Sequence, residues 1–156
     1  IQYMEEHRPL GTAGALSLVD APDDPILVIN GDVLTGLDFR AMLDFHRDHQ
    51  ADMTVAVKQQ EMEIPFGVVQ TEGIRVIGIT EKPTVRHFIN AGIYLLTSTV
   101  RRLIPAGQPY DMPDLIINLI SEGLKVVSFP VTEDWADIGT VEDYQRVQMG
   151  IEREND

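Results

Sequence analysis

The chain has 156 residues, 44% of them hydrophobic, and its 25 acidic residues against 12 basic ones give a formal charge of −13. That charge repels a phosphate backbone and disfavours nucleic-acid binding, although local lysines and a divalent cation still allow a small phosphorylated substrate. Cysteine is absent, which excludes disulfides and cysteine nucleophiles and fits a cytoplasmic protein. The apolar stretches are too short to span a bilayer, so no membrane partner is expected.

The first elements in chain order predict a helix, a buried strand and a second helix. Residues 14–19 follow a glycine-rich turn and are predicted to be helical up to a loop at residues 22–25. Residues 26–29 form a short apolar run that is typical of a buried parallel strand, and this run stops at Asn30, Gly31 and Asp32. Asp38 is predicted to cap a helix that extends to about His49.

The later elements alternate between strand and helix patterns. Strands are predicted at residues 53–57, 66–70, 74–80, 88–96 and 124–131, and helices at residues 98–104, 112–122 and from Thr140 to about 153. The short connection around Gly73 predicts that residues 66–80 form an antiparallel hairpin. Asp111 is predicted to cap the helix at residues 112–122. The alternation predicts one α/β domain with a Rossmann-like, mainly parallel sheet flanked by helices.

Two aspartates, Asp32 and Asp137, stand near the ends of predicted strands. Open α/β sheets bind ligands at that edge, and a carboxylate at the end of a buried strand is costly unless a cation neutralises it. Two carboxylates together with substrate phosphates are the usual ligands of Mg²⁺ in proteins. The pair therefore predicts a metal-bound phosphate site, with local turn or cap hydrogen bonds as the alternative role of each aspartate.

Three further motifs each carry a functional and a structural interpretation. The turn at residues 10–16, LGTAGAL, can offer backbone donors to a base or phosphate, or can be a closely packed helix entry. Glu81 and Lys82 precede Pro83, and Lys82 can reach a phosphate or form a surface ion pair. Asn90 and Gly92 interrupt an apolar strand, which indicates either a sugar contact or a β-bulge.

The histidines are not predicted to hold a metal ion. His46 and His49 lie three residues apart on a predicted helix, a spacing that allows metal binding. Because Arg47 and Asp48 lie between them, this part of the helix is predicted to be a solvated face.

In chain order, the segments LGTAGAL, INGDVL, PFGVV, EKP, NAGIY and WADIGT resemble the sugar-1-phosphate nucleotidyltransferases. Each segment is weak evidence alone, but the six occur in the family's order and cover residues 4–144. The first segment looks most like the mannose-1-phosphate guanylyltransferase branch. The resemblance implies attack of a sugar 1-phosphate oxygen on the α-phosphate of a nucleoside triphosphate, with release of pyrophosphate and with Mg²⁺ as cofactor.

The resemblance also implies individual roles. Asp32 and Asp137 match the magnesium ligands, and with Lys82, which matches the group that binds the sugar phosphate, they are the expected catalytic residues. The expected nucleotide-base contacts are Leu10, Gly11, Thr12 and Gly14. The expected sugar contacts, on and near the hairpin, are Gly67, Glu81, Asn90 and Gly92.

One family feature is absent from this sequence: the opening strand and triphosphate-binding loop of the form GGxGTRL. Residues 1–156 are therefore expected to be the later part of a single catalytic domain, incomplete at the N-terminus and with little or no activity alone. The uncovered core surface leaves room for a homo-oligomer. The implied parent enzyme supplies nucleotide-sugars for polysaccharide biosynthesis, and the alternative is a noncatalytic regulatory or structural module that keeps the fold.

Overall fold

The computed structural model describes residues 3–19, 25–140 and 144–145. The strands are β1 (Ile26–Ile29), β2 (Val33–Thr35), β3 (Met53–Glu63), β4 (Val68–Glu72), β5 (Arg75–Thr80), β6 (Thr84–Leu96), β7 (Val126–Pro130) and β8 (Trp135–Asp137). The helices are α1 (Gly11–Gly14), which continues as a 3₁₀ turn over Ala15–Leu18, then α2 (Phe39–Asp48), α3 (Ser98–Arg102) and α4 (Met112–Ser121). The predicted loop at residues 22–25, apart from Pro25, and most of the predicted C-terminal helix lie outside the described residues.

The main sheet has four strands in the order β1, β6, β3, β7. Strands β1, β3 and β7 run in one direction, and β6 runs between β1 and β3 in the opposite direction. The inner ends of β3 and β6 are buried on both faces, which explains their largely hydrophobic sequences. The predicted α/β class is confirmed, with the addition that β6 makes two antiparallel pairings at the centre of the sheet.

Helices cover both faces of this sheet, as the sequence predicts. On one face, alternate residues such as Met53 and Leu96 pack with α3 and α4 in a core that includes Val100 and Leu115. On the other face, Ile93 and its neighbours pack in a second core with residues from α2 and β7. The alternation of side chains along each strand divides the apolar residues between the two cores.

Asp38 caps α2 as predicted, because its carboxylate accepts hydrogen bonds from the backbone N–H groups of Arg40 and Ala41 at 2.9 and 3.1 Å. The predicted solvated face of this helix is wrong for His46, which is 2% exposed. Its Nδ1 lies 2.8 Å from the hydroxyl of Thr54, which is also buried. Burial lowers the pKa of His46 below its ordinary value, and the charge of Asp52 partly opposes that shift.

The predicted hairpin is confirmed as the antiparallel pair β4 and β5. Its turn contains Gly73, whose φ of +58° lies in the left-handed region that glycine adopts at little cost. The hairpin sits at the end of an arm formed by the outer halves of β3 and β6, where Glu61 and Arg86 form an ion pair at 2.6 Å. In the described part of the chain, no helix has the length and apolar character needed to cross a membrane.

Candidate functional site

Asp32 and Asp137 are brought together by a small antiparallel ladder between β2 and β8. Val33 pairs with Asp137 in this ladder, and the N–H of Ile138 donates to the carbonyl oxygen of Asp32 at 2.8 Å. Asp137 therefore lies at the end of a separate short strand, and it does not follow directly from the strand predicted at residues 124–131. The two aspartates are neighbours across the ladder because backbone hydrogen bonds hold their strands together.

Both aspartate side chains are exposed. Neither carboxylate accepts a hydrogen bond within the described residues, whereas other carboxylates such as Asp38 do. The alternative interpretation, in which each aspartate stabilises a local turn, therefore has no support in the described part of the chain. Asp32 and Asp137 are therefore diagonal neighbours at the end of the ladder, and within the described residues neither carboxylate is used for a hydrogen bond.

An open cleft of about 400 Å³ lies next to Asp32. It is lined by Thr12 from the glycine-rich turn and by residues at the end of β1, namely Val28, Ile29, Asn30, Gly31 and Asp32. The structure thus places the predicted base-binding turn and the first predicted metal ligand on the same cleft.

The backbone donors of that turn are used inside the protein. The N–H of Thr12 donates to Oδ1 of Asp111 at 3.0 Å, and the N–H groups of Ala13 and Gly14 donate to the carbonyl of Tyr110. Gly11 has a φ of +75°, and a side chain there would meet the Asp111 carboxylate at 2.5 Å. These amides therefore agree with the alternative interpretation, in which the turn is a closely packed helix entry. Base contacts by this turn stay a prediction.

Asp111 stands at the N-terminus of α4, but its predicted capping hydrogen bond is absent. Its carboxylate instead accepts from Thr12, and the Thr12 hydroxyl accepts a hydrogen bond from the N–H of Met112 at 2.8 Å. Thr12 therefore supplies the side-chain acceptor for the first turn of α4. Leu10, by contrast, is buried and packs as part of the core side of the turn.

At the sugar side of the predicted site, the structure brings Gly67 and Glu81 together. A Cβ placed on Gly67 would lie 2.9 Å from Oε2 of Glu81. Lys82 is exposed, makes no ion pair within the described residues, and has a φ of +42°, which is uncommon for a residue other than glycine. Within the described residues Lys82 therefore does not form the surface ion pair that was the alternative interpretation. Phosphate binding by Lys82 stays a prediction.

Asn90 and Gly92 form the β-bulge that was the alternative to a sugar contact. Val55 of β3 pairs with Tyr94 and Val57 pairs with Asn90, so β6 carries extra residues between these pairs. Oδ1 of Asn90 accepts from the N–H of Gly92 at 3.0 Å, and its Nδ2 donates to the Tyr94 hydroxyl at 2.8 Å. Burial raises the pKa of Tyr94. Both ends of the Asn90 amide are therefore occupied within the bulge.

A cluster of three or more histidine, aspartate or glutamate side chains suited to metal binding does not occur among the described residues. The available donor set is the pair Asp32 and Asp137. Two carboxylates suit Mg²⁺, which keeps several waters and takes further oxygen ligands from substrate phosphates. His46 is unsuited to this role because it is buried against Thr54.

The family model of the nucleotidyl transferases matches residues 1–154. The chain belongs to this family. A mannose-1-phosphate guanylyltransferase from Mycobacterium tuberculosis is 36% identical to this chain over 98% of its length, and a UTP–glucose-1-phosphate uridylyltransferase from Synechocystis is 35% identical over 92%. The family predicted from the ordered motifs is confirmed.

A solved structure, described as a putative glucose-1-phosphate thymidylyltransferase from Bacillus anthracis, shares the fold with a TM-score of 0.68 at 24% identity. The superposition covers 95% of this chain and 63% of that chain. The chain spans 45% of the length of the guanylyltransferase and 40% of the length of the uridylyltransferase. It therefore corresponds to less than half of those proteins.

Proposed function

We propose that the polypeptide carrying this chain transfers a nucleoside monophosphate from a nucleoside triphosphate to a sugar 1-phosphate, and that residues 1–156 are the later part of its single catalytic domain. One observation carries the proposal. Asp32 and Asp137 are adjacent on the β2–β8 ladder, exposed, and not used for hydrogen bonds within the described fold. Family membership gives that pair its chemical context.

In this proposal Asp32 and Asp137 hold Mg²⁺ together with the phosphates of the substrates. Both substrates are anions, so the barrier to their reaction is largely the cost of bringing like charges together. When bound, Mg²⁺ neutralises part of that charge and aligns the reacting oxygen atoms. Asp32 and Asp137 fix the cation at the cleft that Thr12 lines, where the nucleotide is proposed to bind.

The sugar 1-phosphate is proposed to bind between this site and the base of the hairpin. There the exposed ammonium group of Lys82 balances the charge of the sugar phosphate. Glu81, held beside Gly67, accepts hydrogen bonds from sugar hydroxyls. The exposed Asn90 completes the sugar pocket, and Gly92, buried behind it in the bulge, leaves room for the sugar ring.

GTP with mannose 1-phosphate is the favoured pair, since the LGTAGAL segment and a relative of that name at 36% identity agree. UTP, CTP or dTTP with another sugar phosphate is the competing assignment, and the relative named for UTP and glucose 1-phosphate is nearly as similar at 35%. The proposed setting is cytoplasmic nucleotide-sugar supply, and the formal charge of −13 disfavours a nucleic-acid substrate.

The test is a substrate panel on the complete natural polypeptide that contains this chain. Each of the four triphosphates is paired with mannose, glucose and other sugar 1-phosphates, and pyrophosphate release is measured. One pair should dominate, and Asp32→Asn and Asp137→Asn should each nearly abolish its turnover without lowering the melting temperature. Wild-type rates in both variants would overturn the metal assignment, and no turnover of any pair would favour the noncatalytic module.

A further inference from the structure

Each aspartate of the proposed metal site lies two residues from a hydrogen bond to the same β-bulge on β6. The N–H of Asn30, two residues before Asp32, donates to the carbonyl oxygen of Gly92 at 2.9 Å. The indole Nε1 of Trp135, two residues before Asp137, donates to the carbonyl oxygen of Ala91 at 2.9 Å. Adjacent peptide groups of one bulge therefore anchor the two segments that carry the carboxylates.

The bulge also fits the segment around Asp32 closely. Gly92 is buried and has a φ of +71°. A Cβ at this position would lie 2.8 Å from Nδ2 of Asn30 and 3.1 Å from Cγ2 of Val33. Since Asn30 and Val33 flank the Gly31–Asp32 turn, the bare face of Gly92 determines how near that turn comes to β6.

Trp135 donates its hydrogen bond to the carbonyl of Ala91. The bulge takes Ala91 out of the regular pairing between β3 and β6. Pairing between β3 and β6 stops at Tyr94 and resumes at Asn90, so Ala91 lies in the interruption. Ala91 is fully buried, and a buried carbonyl without a partner is unfavourable. The indole N–H is thus well suited to hold β8 at this point, whereas phenylalanine would fill similar space without a donor.

We infer that Trp135 is a positioning residue for the metal site, one that sets the place of Asp137 relative to Asp32 through the Ala91–Gly92 bulge. The inference depends on the proposed function, because it assumes that the two carboxylates share a cation. In this inference the bulge also positions the two proposed metal ligands. The two segments that carry the carboxylates are both hydrogen-bonded to the same buried bulge of the sheet.

The test measures Mn²⁺ binding to the full chain by electron paramagnetic resonance, in which the signal of free aqueous Mn²⁺ falls on binding. Trp135→Phe should weaken Mn²⁺ binding by roughly three- to tenfold, at or below the loss usual for groups that orient metal ligands. Replacing Trp135 with 3-benzothienylalanine, which keeps the indole shape without the N–H, should give a similar loss. Equal affinity in wild type and both variants would overturn the inference.

Phe129→Leu is the matched control. Phe129 packs against the same core cluster as Trp135 but belongs to β7, and its ring contacts Phe45. This variant should lower the melting temperature and leave Mn²⁺ affinity unchanged. An equal loss of affinity in Phe129→Leu and Trp135→Phe would show that general packing is responsible, and would also overturn the inference.

Asp32→Asn separates this inference from the proposed function. If the wild-type chain binds Mn²⁺ no better than Asp32→Asn, the proposed metal site fails and the inference fails with it. If Asp32→Asn loses binding while Trp135→Phe retains it, the metal site stands and only the positioning role is overturned.

Discussion

Thr12 and Asp111 hold each other across 99 residues of sequence: the Thr12 N–H donates to Oδ1 of Asp111 at 3.0 Å. The Thr12 hydroxyl then accepts from the N–H of Met112 at 2.8 Å, so the same pair closes the start of α4. This exchange fastens the glycine-rich turn to the helix and keeps Thr12 on the cleft beside Asp32.

Thr12→Val should destabilise the protein by about 1–2 kcal/mol, because it removes the acceptor for the Met112 N–H and keeps a side chain of similar size. Urea unfolding measures the change in the free energy of unfolding. Thr12→Ser, which retains the hydroxyl, is the matched control and should lie within about 0.5 kcal/mol of wild type. A loss in Thr12→Ser as large as that in Thr12→Val would show that keeping the hydroxyl is not sufficient, and would overturn this prediction.

His46 should make stability depend on pH in a defined direction. Its pKa in the folded protein lies below the ordinary value of 6.5, so the unfolded chain binds the proton more readily. The contribution of neutral His46 to stability is therefore complete above pH 6.5 and is lost as pH falls from there through the folded pKa. Urea unfolding between pH 5 and pH 8 should show a shallower pH dependence for His46→Gln than for wild type.

His49→Gln provides the comparison for this measurement. His49 is exposed on the same helix and stacks on Phe45. This variant removes a histidine from α2 and leaves the buried contact between His46 and Thr54 in place. A wild-type pH dependence in His46→Gln would contradict the prediction for His46.

Gly67→Ala should impair binding of the sugar phosphate more than it impairs folding. The new methyl group would meet the Glu81 carboxylate at 2.9 Å, and this exposed side chain can move away at small cost in stability. If Glu81 binds the sugar, displacing it should raise the KM for the sugar 1-phosphate by roughly tenfold, about 1.4 kcal/mol, with the KM for the nucleotide unchanged. Steady-state kinetics of the complete natural polypeptide measure both constants.

Gly78→Ala is the control within the same hairpin. A Cβ at Gly78 meets the end of the Gln70 side chain at 3.1 Å and does not approach Glu81. Its KM for the sugar 1-phosphate should match that of wild type. If both variants raise that KM equally, the effect belongs to the hairpin as a whole.

Local patterns predicted the main strands, the cap at Asp38 and the hairpin, because each depends on a few consecutive residues. The sequence predicts that Asp32 and Asp137 share a site, because α/β sheets bind ligands at the ends of their strands. It does not predict that the pairing of β2 with β8 brings the two residues together. Strands β2 and β8 have three residues each, too few to show any periodicity.

Two errors have clear physical causes. His46 was placed on a solvated face because of its charged neighbours, yet it lies four residues after Met42, the other buried residue of α2, so the two share one helix face. The sequence predicts that Asp111 caps α4, because the polar residue just before a helix is the usual acceptor for the N–H groups of its first turn. The side chain that accepts from the N–H of Met112 is Thr12, which is distant in sequence, and single-chain patterns carry no signal for such a pair.

The β2–β8 ladder positions its aspartates through main-chain atoms, which every residue type except proline provides in full. Replacing either carboxylate by an amide therefore leaves the scaffold intact. Under the proposed metal role, the residues at positions 32 and 137 are accordingly a better guide to whether a related protein is an enzyme than the similarity of its fold.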